Sequence, residues 1–137
     1  MAVLVVGADI PAFGGTLPGS KTKSIAKAIA HAEGFGISGA LPTRTHNPGD
    51  LKAGDVGNGQ TNGKTIFASD TDGWNALYKQ IDLMISGKSN YYQPSDSWRR
   101  IAQIWTGDPS DYVNWMSTVT DDLGVDPDST LQEYIDA

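Results

Sequence analysis

The sequence predicts an α+β domain in which helices form the larger lobe and a small β-hairpin forms one wall of a cleft. Three observations carry this. Twelve of the sixteen glycines lie before residue 64, so the front of the chain reads as loop-rich. Most of the well-patterned amphipathic segments lie after residue 70, so the back reads as helical. The 137 residues are enough for one domain with a proper core and too few for two ordinary ones.

Residues 1–20 hold Pro11, Gly14, Gly15, Pro18 and Gly19 and read as an extended N-terminal segment with at most a short strand at 3–6. Residues 21–137 form the single domain. Its first helix starts near Ser24 and places Ile25, Ala28, Ile29, Ala32 and Glu33 on one stripe, because positions three and four apart share a face. Gly34-Phe35-Gly36 ends it. Pro42 and Asn47-Pro48-Gly49-Asp50 then make turns: proline presets φ, glycine tolerates positive φ, and Asn47 and Asp50 can bond nearby backbone. Residues 51–68 read as a glycine-rich hairpin with its turn at 57–63 and its better strand at 65–67.

Ser69 or Asp70 caps a strong helix carrying Trp74, Leu77, Tyr78, Ile81, Met84 and Ile85, which Gly87 stops. A loop with Tyr91, Tyr92 and Pro94 leads to a shorter helix with Trp98, Ile101, Ala102, Ile104 and Trp105. Gly107-Asp108-Pro109 breaks it, and a further helix carries Tyr112, Val113, Met116, Val119 and Leu123 up to Gly124. Ser129 and Gln132 have capping-box spacing and start a last short helix to Ile135.

The net charge of −6 and pI near 4.6 argue against nucleic acid, whose binding rests on clustered Lys and Arg, and offer nothing to an anionic membrane. No apolar run approaches the roughly 18 residues of a membrane span, and the start of the chain lacks the basic region of a secretory signal, with Asp9 interrupting its apolar run. There is no cysteine, hence no disulfide and no thiol chemistry. His31 and His46 flank Glu33, but His31-Ala-Glu33-Gly is not His-Glu-x-x-His and no third ligand stands at metal spacing. Neither a metal nor a cofactor is expected.

Glu33 is the residue with chemical promise. It continues an apolar stripe at the last turn of a helix, where desolvation and the negative end of the helix dipole both disfavour the anion. Such an acid can give up a proton near neutral pH, as cleavage of a glycosidic bond requires of its general acid. The plainer reading, a solvated last-turn residue that happens to fall on the stripe, has equal standing from spacing alone.

Residues 28–35 (Ala-Ile-Ala-His-Ala-Glu-Gly-Phe) and 42–51 (Pro-Thr-Arg-Thr-His-Asn-Pro-Gly-Asp-Leu) resemble the front half of a lysozyme-like domain of phage virion proteins and peptidoglycan hydrolases. Phe67 with Gly73-Trp-Asn-Ala-Leu77, Ile104-Trp105-Thr-Gly-Asp108 with Tyr112, and Leu123-Gly-Val-Asp126 resemble the later motifs of that family, in the same order. The resemblance covers roughly residues 24–136. It implies a lysozyme-superfamily fold, Glu33 as the acid that protonates the glycosidic oxygen between N-acetylated sugars, and peptidoglycan glycan strands as partner. The source would be a phage virion or an enzyme released to the bacterial periplasm and cell wall, and the isolated domain would be a monomer.

Asp50 is the candidate second carboxylate, as base for a water or stabiliser of an oxocarbenium-like transition state; otherwise it caps the Asn-Pro-Gly turn, and the family pattern admits Asn there. Asp55 is a further candidate. With neither, a lytic transglycosylase reading follows, in which the substrate's own 6-hydroxyl attacks. Sugar sites need flat rings, amides and guanidiniums, which makes Tyr91, Tyr92, Trp105, Arg44, His46 and Asn47 the expected substrate-binding set. Two rivals remain: an enzyme for chitin or chitosan, the latter suited by the acidic charge, and a virion structural or glycan-binding domain without activity.

Overall fold

A computed structural model describes residues 19–52, 60, 61, 63–108 and 110–137. In chain order these residues form α1 (Ser20–Glu33), α2 (Leu41–Arg44), β1 (Gln60–Thr61), β2 (Lys64–Thr65), α3 (Asp70–Ser86), α4 (Trp98–Thr106), α5 (Tyr112–Leu123) and α6 (Leu131–Asp136). The result is a mainly helical domain with one small antiparallel strand pair. No helix among the described residues is long and apolar enough to cross a membrane. Asp55 and the suggested strand at 3–6 lie outside the described residues.

Side chains satisfy free backbone N–H groups at the starts of α3, α4 and α6. Ser69 accepts from the Asp72 N–H and Ser97 from the Arg100 N–H, and glycines in the left-handed conformation close α1, α3, α4 and α5. The capping box of α6 falls on Thr130 and Glu133, one residue later than the Ser129 and Gln132 pairing expected from spacing. α1 opens at Ser20 rather than near Ser24. A tertiary contact supports this first turn: the Lys21 ammonium donates to the carbonyls of Tyr134, Ile135 and Ala137 at 2.6, 3.0 and 2.6 Å.

α1 packs against both α5 and α3, and α4 packs against α5. Ile25 and Ile29 of α1 meet Leu77, Ile81 and Met84 of α3, Trp98 and Ile101 of α4, Val119 of α5 and Leu131 of α6 in one core. Burying each such side chain contributes roughly 1.5–3 kcal/mol, which is why the amphipathic periods in the sequence find their elements.

The described strands are residues 60–61 and 64–65, the first of them within the stretch expected as the turn, while residues 53–59 and 62 of the expected hairpin lie outside the described residues. Gln60 pairs with Thr65 and Thr61 with Lys64, leaving only residues 62 and 63 between the strands. Gly63, just before β2, takes φ +76°, a backbone conformation that glycine adopts readily. Phe67 is not in the strand, because its N–H is drawn to the Thr45 carbonyl, 2.9 Å away. Lys52 forms an isolated antiparallel bridge with Lys64.

The loop between α2 and the hairpin, residues 45–51, is fixed from both sides. Asn47, wholly buried, donates from Nδ2 to the carbonyls of Leu51 and Thr65 and accepts the Leu51 N–H. The Asp50 N–H closes the Asn47-Pro48-Gly49-Asp50 turn on the Asn47 carbonyl. Gly49 serves close approach rather than positive φ: a Cβ there would lie 2.8 Å from Leu77 Cδ1, and that side chain would have to shift. The left-handed residues of this loop are His46 (φ 54°) and Asp50 (φ 50°).

Candidate active site

Glu33 is the last residue of α1, and the sequence forces the chain to stop there. Gly34 adopts φ +82°, its N–H bonds the His31 carbonyl and the Phe35 N–H bonds the Ala30 carbonyl. This is the double closure of a Schellman motif. The carboxyl is thereby held at the end of a helix whose other stripe residues are in the core.

It faces a cavity of about 200 Å³ lined by Ala32, Glu33, Asp50, Lys64, Trp105, Thr106, Asp108, Asp111, Asn114 and Trp115. Four elements converge there: the end of α1, the 45–51 loop, β2, and the α4–α5 junction. The Trp115 indole N–H donates to Glu33 Oε2 at 2.9 Å. The Lys64 ammonium lies 3.1 Å from both Asp50 Oδ2 and the Asp50 carbonyl. Asp50 Oδ1 is sealed from solvent and has no hydrogen-bond partner among the described residues.

Burial is the main reason the Glu33 carboxyl is pushed up from its ordinary 4.5 to about 7, with the Asp50 charge adding to it. The Trp115 N–H, the Lys64 charge and, least, the Trp105 indole pull the other way without cancelling the rise. The Trp105 N–H is itself engaged by the Gly49 carbonyl at 3.2 Å. Glu33 is thus an acid that is roughly half-protonated at neutral pH, beside a carboxylate held by an ammonium. Such a pair can donate a proton from one group while the other bears negative charge.

Of the residues read from sequence as functional, Glu33, Asp50 and Trp105 come together at this cavity. The others that lie among the described residues do not line it. Asn47 is a buried scaffold of the loop, and Arg44 donates from Nε to the Gly39 carbonyl at 3.0 Å on the surface. His46 Nδ1 pairs with Asp70 at 2.7 Å. Tyr92 is fully buried beside Trp105, ring centroids 5.9 Å apart, while Tyr91 is exposed. The reason is local: Ser89 Oγ accepts both the Tyr91 and Tyr92 N–H groups at 3.1 Å, and the turn this makes sends Tyr92 inward.

Trp115, Lys64, Thr106, Asp108, Asp111 and Asn114 line the cavity without having been singled out as functional. Trp115 follows the α5 stripe and reads as core, which its 4% exposure bears out; only the direction of its N–H makes it part of the site. Among the described residues no group of three or more His, Asp or Glu could hold a metal ion.

Fold and site together define a small, mainly helical domain built around one occluded, readily protonated glutamic acid. Compared with protein-family models, with curated proteins and with solved structures, the chain matches none.

Proposed function

We propose that the chain is a lysozyme-like domain that cleaves the glycan strands of peptidoglycan, with Glu33 as general acid. The observation that carries this reading is the carboxyl at the end of α1, facing a cavity and raised to about 7 beside the Asp50 carboxylate. Protonated Glu33 donates to the glycosidic oxygen as the bond to the anomeric carbon breaks, a step worth about 10²–10⁴ in rate. Asp50 stabilises the oxocarbenium-like charge that develops or deprotonates the attacking water. Where the substrate's own 6-hydroxyl attacks instead, Glu33 alternates as acid and base and an anhydro product forms. The place of action would be a phage virion or the bacterial periplasm and cell wall.

The cavity charge favours a second substrate. Among the described residues, Asp50, Asp108 and Asp111 line it against the single cation Lys64, a wall better suited to a cationic amino-sugar polymer such as chitosan than to an anionic one. The deciding experiment is digestion of purified peptidoglycan, chitin and chitosan by the wild-type chain and by Glu33→Gln, with products weighed by mass spectrometry. Release of muropeptides by wild type and a loss of at least about 100-fold in folded Glu33→Gln is the expected result. The product mass separates hydrolysis from the anhydro route. Equal activity of the two proteins refutes the assignment of Glu33, and inactivity of both on every polymer leaves a glycan-binding or structural domain.

A further inference from the structure

Resting on the reading of Glu33 as general acid, we propose that Trp115 is a positioning residue for the reaction. Its indole N–H holds Glu33 Oε2, so that the transferable proton stands on Oε1, and Trp105 stacked behind it keeps the donor in place. The Trp115 N–H meets Oε2 at 2.9 Å. Among the described residues the one hydrogen bond the carboxyl receives at close distance is that of Trp115 on Oε2; the Trp105 indole, the weakest of the groups that favour the Glu33 anion, is committed to the Gly49 carbonyl at 3.2 Å, and Oε1 is not one of the sealed, unpartnered atoms. In a carboxylic acid the carbonyl oxygen is the better acceptor and the hydroxyl oxygen is the donor. An N–H committed to Oε2 therefore selects the form with the proton on Oε1.

The donor is itself immobilised. The Trp105 and Trp115 rings lie 5.8 Å apart at an interplanar angle of 29°. Trp105 donates to the Gly49 carbonyl, one residue before Asp50. Each indole of one stacked pair thus anchors one carboxylate-bearing segment, Trp115 the end of α1 and Trp105 the loop of Asp50. The pair couples the positions of the two groups through α4 and α5, elements that carry neither.

The test replaces Trp115 by β-(3-benzothienyl)alanine, which keeps the shape and stack but has sulfur in place of N–H, and separately by Phe. Readouts are the pH profile of peptidoglycan turnover and a ¹³C titration of the Glu33 carboxyl, the second independent of activity. The other charges that face Glu33 are Asp50, Lys64, Asp108 and Asp111 around the cavity, with His31 on its own helix paired to Asp122 of α5 at 2.8 Å. All are unchanged in these variants. Because the N–H favours the anion, its loss moves the alkaline limb and the ¹³C midpoint up by roughly one pH unit and lowers kcat by about tenfold. KM is expected to stay within about twofold. Trp115→Phe gives the same limb shift with a larger fall in kcat, since the stack is also weakened. A benzothienyl variant with the wild-type midpoint and kcat overturns the role of Trp115 while an inactive Glu33→Gln leaves the general acid standing. A fully active Glu33→Gln overturns both.

Discussion

Replacing Glu33 by Gln should cost the protein its reaction and strengthen its fold, with a pH signature that can be worked out beforehand. Gln is nearly isosteric, and its amide oxygen can still accept the Trp115 N–H. What it removes is a carboxyl whose ionisation is opposed, first by burial and then by Asp50. The folded value of about 7 lies above the ordinary 4.5, so the folded state binds the proton more tightly than the unfolded chain does. Stability associated with this group is therefore fully present below about pH 4.5 and is lost as pH rises through about 7. A gap of roughly 2.5 pH units at about 1.4 kcal/mol each amounts to about 3 kcal/mol. Urea unfolding of wild type and variant at pH 4, 6, 8 and 9 is the assay. Expected are near-equal stabilities at pH 4 and a variant more stable by up to about 3 kcal/mol at pH 9, with the two histidines cancelling in the difference. A stability difference that does not change with pH would show that Glu33 is an ordinary solvated carboxylate and would remove the physical basis for its role.

Other outcomes follow from the same geometry. Asp50→Asn keeps a residue that tolerates left-handed backbone but deletes a charge that raises Glu33, so the alkaline limb of the turnover profile should move to lower pH; an unmoved limb rejects the coupling. Gly73→Ala would place a Cβ 1.9 Å from the His46 carbonyl oxygen and 2.8 Å from Pro48 Cδ, against backbone and a ring that cannot yield; chemical denaturation should show a loss of about 3 kcal/mol or more. Tyr92→Phe removes a buried hydroxyl that has no hydrogen-bond partner among the described residues and should be neutral or stabilising by up to about 1 kcal/mol, with KM for glycan unchanged. A raised KM would return Tyr92 to the substrate.

The parts of this molecule written as periodicity were legible in its sequence. The apolar steps of α1, α3, α4 and α5 are packing instructions, and the glycines after Glu33, Ser86 and Leu123 mark where the chain must turn left-handed. Glu33 could be singled out because it ends an apolar stripe immediately before such a glycine. The partners of Glu33 were harder to find, since period tells which face a residue occupies and not which atom of a buried ring points at a cavity. Trp115 and Trp105 are both 4% exposed and satisfy the core reading, yet their N–H edges serve the site. Lys64 has no pattern to announce it, because its place depends on a two-residue strand register. Tyr92 misled for the opposite reason: a loop position suggested a cleft, and a single serine side chain turned the ring into the core.

The left-handed backbone at Asp50 restricts what chemistry this position can explore. At φ 50° side chains branched at Cβ are penalised, and the tolerant types are Asp, Asn and Gly. These three differ in charge and hydrogen bonding but hardly in the path of the main chain. The loop therefore works as a socket into which a carboxylate, an amide or nothing at all can be set without disturbing Asn47, Gly49 or the end of α1. A single base change from Asp to Asn or Gly would therefore change the charge facing Glu33 while leaving the fold intact, and under the proposed function it would change how the positive charge developing on the sugar is met. Glu33 has no such latitude: it sits in ordinary helical backbone, and what is demanding there is the proton.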